Sequence, residues 1–137
     1  MSQTEVEIVR AALDAYNRRD LQAVLEVIDP DAEFIPLRSV LEGTPYRGHD
    51  GMRKFFEETG EEWDELRIEG EEWRDLGDRV LVIGHFRARG RSSGVELHTP
   101  AAWLASLRDG RIVYLRAYSD VEEAVLESER QRQRTRA

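Results

Sequence analysis

Apolar positions recur every three or four residues at the start of the chain. Val6, Val9, Leu13 and Tyr16 share one face of a helix that Ser2 or Thr4 can cap and that ends near Asn17. Asp20 can accept from the opening N–H groups of a second helix carrying Leu21, Val24, Leu25 and Ile28, which Asp29-Pro30-Asp31 should break. Ala32 to Leu37 reads as a strand. Ser39 to Gly48, with Gly43, Pro45 and Gly48, reads as a loop, and Asp50 to Glu61 as a third helix presenting Met52, Phe55 and Phe56. Beyond it the period shortens. Trp63–Trp73, Arg79–Gly90, Val95–Leu107 and Arg111–Ser119 are strands separated by short turns, which predicts an antiparallel meander of a five-stranded sheet. Asp120, with Glu123 three residues on, marks the start of a last helix ahead of Val121, Ala124 and Val125.

The pattern also fixes a register. With Ser92-Ser93 as the turn, opposed residues sum to 185, pairing Arg89 with Glu96, Ala88 with Leu97, Arg87 with His98 and Val82 with Trp103. One face is then polar and the other apolar, and His85 and His98 become diagonal neighbours. Leu81, Ile83 and Leu104 fall on the outer face, where exposed apolar area predicts a homodimer formed through the sheet.

Composition narrows the partners. A chain of 137 residues and 15.9 kDa is one domain, and 35% charged residues with no apolar run near membrane-spanning length predict no membrane segment. The absence of cysteine excludes disulfides and thiolate chemistry. With no secretory pattern at the first residues, a cytoplasmic location is expected. The net charge of −8 argues against nucleic acid and anionic lipid as partners. It is uneven: Glu127 to Ala137 carries +2 through Arg130, Arg132, Arg134 and Arg136. A domain over residues 1–127 followed by a basic tail, 128–137, frayed or disordered, is the expected organisation.

Several segments together resemble the SnoaL-like (polyketide cyclase-like) branch of the nuclear transport factor 2-like superfamily, which also includes ketosteroid isomerases. They are Ala15-Tyr16-Asn17-Arg18-Arg19-Asp20-Leu21, Pro30-Asp31-Ala32-Glu33-Phe34, Tyr46-Arg47-Gly48-His49-Asp50-Gly51 leading to Phe55-Phe56, Ser93-Gly94-Val95-Glu96, Arg108-Asp109-Gly110-Arg111-Ile112-Val113 and Arg116-Ala117-Tyr118-Ser119-Asp120. The resemblance covers residues 4–127. It implies an α+β cone: a strongly curved antiparallel sheet wrapped by three helices from the N-terminal half and one C-terminal helix, with an internal cavity and commonly a dimer through the sheet. Members that are enzymes move protons on enolisable or polycyclic substrates, usually without a cofactor. The positions aligned to the tyrosine and two aspartates of ketosteroid isomerases are Ala12, Pro36 and Ala102, none of which can transfer a proton.

Candidate chemistry therefore falls on imidazole, phenol and guanidinium. His98 and Tyr16 are the candidate catalytic pair, and Phe34, Arg38, Phe55, His85, Trp103 and Tyr118 the candidate ligand contacts. Periodicity sets His85 and His98 on the polar face with Arg87, Arg89 and Glu96, whereas the parity implied by the position aligned to Ala102 turns His98 inward. His49 and Asp120 have capping or surface roles. No phosphate loop, HExxH motif or histidine pair at helical ligand spacing is present, so neither a cofactor nor a metal is expected. Two functions fit: a SnoaL-like protein binding a small hydrophobic molecule in a largely apolar cavity, or a cofactor-free isomerase, cyclase, dehydratase or hydrolase using His and Tyr as acid/base groups.

Overall fold

The computed structural model describes residues 4–37 and 45–136. Helix α1 (Glu5–Asn17) is capped by Thr4, whose hydroxyl accepts from the Glu7 N–H at 3.2 Å. Arg18 and Arg19 turn the chain, and Asp20 caps α2 (Leu21–Val27) by accepting from the Ala23 N–H. Then follow β1 (Ile28–Ile35), β2 (Tyr46–Arg47), α3 (Gly48–Glu62), β3 (Trp63–Asp75), β4 (Arg79–Gly90), β5 (Glu96–Arg108), β6 (Arg111–Tyr118) and α4 (Val121–Arg136). Asp120 caps α4 through the Glu123 N–H. The class is α+β, with one curved, mostly antiparallel sheet in the order β2-β1-β6-β5-β4-β3.

Two expectations are corrected. The sheet has six strands, because the short β2 lies inside the stretch read as a loop and pairs with β1 at Tyr46 and Arg47. Strand β1 begins at Ile28 and contains Pro30, and it pairs with β6 in parallel. The whole intervening chain serves as the crossover for that pair. Pro30 is tolerated because the ladder is interrupted there: the register jumps from Ile28↔Ile112 to Glu33↔Tyr114, so the proline has no ladder bond to supply. Helix α4 runs to Arg136, and its Ser128 is buried.

The β4–β5 register is the one read from the charge pattern, unbroken from Arg79↔Ser106 to Arg89↔Glu96. The turn that closes it is longer than two residues, running from Arg91 to Gly94, with the Gly90 N–H donating to the Val95 carbonyl at 2.9 Å. Curvature comes from β3 and β4. Gly70 faces Gly84 across the ladder, and Glu71 is the extra residue of a bulge. A Cβ added at Gly84 would lie 1.8 Å from the Glu69 carbonyl oxygen, so only glycine permits this approach. The bulge also inverts parity: Leu66 and Ile68 face inward before it, Trp73 after it.

β3 is an edge strand. At Ile68 its outward groups are taken by Asn17, whose side-chain amide donates to the Ile68 carbonyl at 2.9 Å and accepts from the Ile68 N–H at 2.8 Å. The concave face, with Val80, Val82, Trp103, Ala105, Ile112 and Leu115, packs against α1, α2 and α3 as the main core. On the convex face Leu81, Ala102, Leu104 and Tyr118 form a second core under Ala124 of α4. Buried Arg79 pins that helix by donating to the Ser128 carbonyl at 3.3 Å. The apolar outer residues that suggested a dimer are thus covered within the chain. No helix among the described residues is long and apolar enough to cross a membrane.

Candidate functional site

The main core is hollow. Between the concave face and the helices lies a cavity of about 350 Å³, walled by Ala12, Leu13 and Tyr16 of α1, Met52, Phe55 and Thr59 of α3, Phe34 of β1, Phe86 of β4, and Leu97, Thr99 and Trp103 of β5, among others. It falls at the small end of the range for small-molecule sites. No lining residue among those described carries a carboxylate, amine, guanidinium or imidazole.

Aromatic rings stack up the helical wall. Phe34 meets Phe55 edge-on at 4.8 Å between ring centres, and Tyr16 lies 6.1 Å from Phe55 and 5.9 Å from Phe56. The ring of Tyr16 is buried and lines the cavity. Burial pushes its phenol above the ordinary value, against a weaker opposite pull from Arg19. It stays a neutral hydrogen-bond donor throughout the physiological range. Thr59 is buried one helical turn beyond Phe55, and its hydroxyl donates to the Phe55 carbonyl at 2.7 Å, which leaves its oxygen lone pairs toward the cavity wall. His49 is spent on structure, with Nε2 3.1 Å from the Ile28 carbonyl.

Of the candidate residues, Tyr16, Phe34, Phe55 and Trp103 line the cavity together. His85, His98 and Tyr118 do not. Inward residues of β4 are even-numbered and those of β5 odd-numbered, so both imidazoles stand on the convex surface, and His98 is separated from Tyr16 by the sheet. Tyr118 belongs to the core beneath α4. Arg38 lies outside the described residues. Ala102 faces outward as well, which removes the parity argument for an inward His98: a neighbour of Ala102 is the inward residue, and both neighbours, Ala101 and Trp103, are again without proton-transfer groups. Sequence reasoning missed Phe86, Leu97, Thr99 and Thr59. The first three follow from the hairpin register once Trp103 is set inward, and Thr59 from its i+4 spacing to Phe55.

A model of the SnoaL-like domain matches residues 9–115. The chain belongs to the SnoaL-like domain family. Solved structures agree on the fold. An NTF2-like protein from Burkholderia thailandensis E264 is 26% identical over 93% of this chain and 98% of its own, with a TM-score of 0.76. TerC, co-crystallised with polyporic acid, is 21% identical over 90% of this chain and 97% of its own, at 0.75. A protein with a ketosteroid isomerase-like fold from Catenulispora acidiphila DSM 44928, in complex with trimethylamine, is 16% identical over 93% and 95%, at 0.74. No curated protein matches the chain. Among the described residues that line it, the cavity of this SnoaL-like domain offers the hydroxyls of Tyr16 and Thr59 and carries no carboxylate or imidazole.

Proposed function

We propose that this SnoaL-like protein binds a small, uncharged, largely apolar molecule inside the cone, oriented by one oxygen of the ligand accepting from the Tyr16 hydroxyl. The observation that carries the reading is the lining itself. An ionised group entering the cavity would lose its hydration and meet no opposite charge among the described lining residues, at a cost of several kcal/mol, whereas an apolar ring gains about 25 cal/mol per Å² buried. The Tyr16 phenol supplies direction, because a hydroxyl donor on the wall of an apolar cavity favours a carbonyl or hydroxyl oxygen over plain hydrocarbon. The likeness in fold to TerC, which was co-crystallised with polyporic acid, supports a small organic molecule as the ligand.

The reading as a cofactor-free isomerase, cyclase, dehydratase or hydrolase keeps Tyr16 as a proton donor and loses His98 as its partner. Catalysis would then need a base carried by the substrate itself. A thermal-shift panel of neutral ring ketones, each paired with its carboxylate analogue, tests the proposal. The neutral members should raise Tm and the acids should not; a preference for the acids would overturn it. Tyr16→Phe should weaken ketone binding about tenfold while sparing hydrocarbons of the same shape. Turnover of any hit, followed by NMR and abolished in Tyr16→Phe, would favour the enzymatic reading. The homodimer through the sheet, deprived of its apolar patch, now rests on the charged part of the convex face, and sedimentation at micromolar concentration decides it.

A further inference from the structure

The convex face beside the hairpin carries the two histidines that the cavity does not use. Their ring centres are 4.8 Å apart and the planes are tilted by 45°. Each ring turns one nitrogen toward a carboxylate of β3: His85 Nδ1 is hydrogen-bonded to Glu71 Oε1, and His98 Nε2 lies 3.5 Å from Glu69 Oε1. A carboxylate on one nitrogen fixes the tautomer, so the lone pair sits on the other. His85 Nε2 and His98 Nδ1 are those lone-pair nitrogens, and neither meets another described residue. Two imidazoles that share one ion, at metal–nitrogen lengths of about 2.0–2.1 Å and near-tetrahedral angles, place their ring centres roughly 5 Å apart. The observed spacing allows the two rings to share one ion.

We infer that His85 and His98 bind one borderline divalent transition ion, of the kind Cu²⁺, Ni²⁺ or Zn²⁺, with Glu71 and Glu69 holding the rings in the ligating tautomer. Among the described residues no cluster of three or more His, Cys, Asp or Glu is placed to hold a metal, so the protein supplies two nitrogens and water fills the remaining positions. Arg87 faces the same cluster from β4, with Nε 3.6 Å from Glu69 Oε1, and Arg67 stands opposite it on β3. Their charges oppose a cation and weaken its binding. The ion would tie β4 to β5 directly behind Phe86, Leu97 and Thr99, which line the cavity on the other side of the same strands.

Calorimetric titration of tag-free protein with Cu²⁺, Ni²⁺ and Zn²⁺, and with Mg²⁺ as the oxygen-seeking control, tests this. One ion per chain, no heat with Mg²⁺, and a Tm raised by the bound ion are expected. Both ligands are at the surface, so His85→Gln and His98→Gln should fold normally and weaken binding by ~30-fold or more. Glu71→Gln, which leaves both ligating nitrogens in place, should weaken it about tenfold. Wild-type binding no tighter than that of the double histidine variant would overturn the site. So would a loss on removing Glu69 and Glu71 together that exceeds the loss on removing both histidines.

Discussion

Trp103 and His98 lie five residues apart on β5 and live in different solvents: the indole is a wall of the cavity, the imidazole a surface group among carboxylates. The concave face is apolar from end to end and still not filled. The convex face is divided, with an apolar half sealed by α4 and a charged half left open. Outward apolar residues are thus no sign of a partner when the chain supplies its own cover, and histidines at mid-strand are no sign of a cavity base when their parity turns them out.

The difference can be broken at the line where both faces bend. Gly84→Ala should be the most damaging single change, about 3 kcal/mol or more in urea unfolding, because the added methyl has backbone rather than a movable side chain in front of it. Next comes the contrast within β5: Trp103→Ala should cost about 3–5 kcal/mol and His98→Ala no more than about 0.5 kcal/mol. Similar losses at both positions would contradict the assignment of the two faces. Arg79→Ala removes the donor that holds the Ser128 carbonyl and should cost about 2 kcal/mol, with faster hydrogen exchange confined to α4.

The smallest effect is in alkali. Burial pushes the Tyr118 hydroxyl, beneath α4, up to about 12, with Arg116 pulling the other way. The folded value lies above the unfolded one of 10.0, so its contribution to stability is complete below pH 10 and disappears as the pH rises through 12. Tyr118→Phe should flatten unfolding free energy against pH in that window. An unchanged slope would place the alkaline sensitivity elsewhere, with Tyr16 the first alternative.

Most of the fold was legible because its cues are local. Thr4, Asp20 and Asp120 each cap the helix that follows, and the alternation of Arg87, Arg89 and Glu96 with Ala88 and Leu97 was enough to register a hairpin whose turn length was misjudged. What escaped is long-range. Nothing near Pro30 in sequence says that Ile112 to Arg116 will lie beside it, and the proline read as a breaker sits in a gap of that ladder. The cavity was half legible. The stripe of α1 and the aromatics of α3 pointed to Tyr16 and Phe55, while the parity of Tyr118 was lost for want of the outer core it joins. The histidine pair was legible only as diagonal neighbours, because its spacing is set across strands and by the lie of both rings.

The amide of Asn17 has a consequence for the lifetime of the protein in storage. It stands in for a missing strand beside Ile68, with one donor and one acceptor where the ladder offers one of each. Hydrolysis of that amide, an ordinary ageing reaction of asparagine, would keep the acceptor and replace the donor with negative charge facing the Ile68 carbonyl. The first sign of ageing would then be edge-to-edge association of molecules whose cavities are still intact.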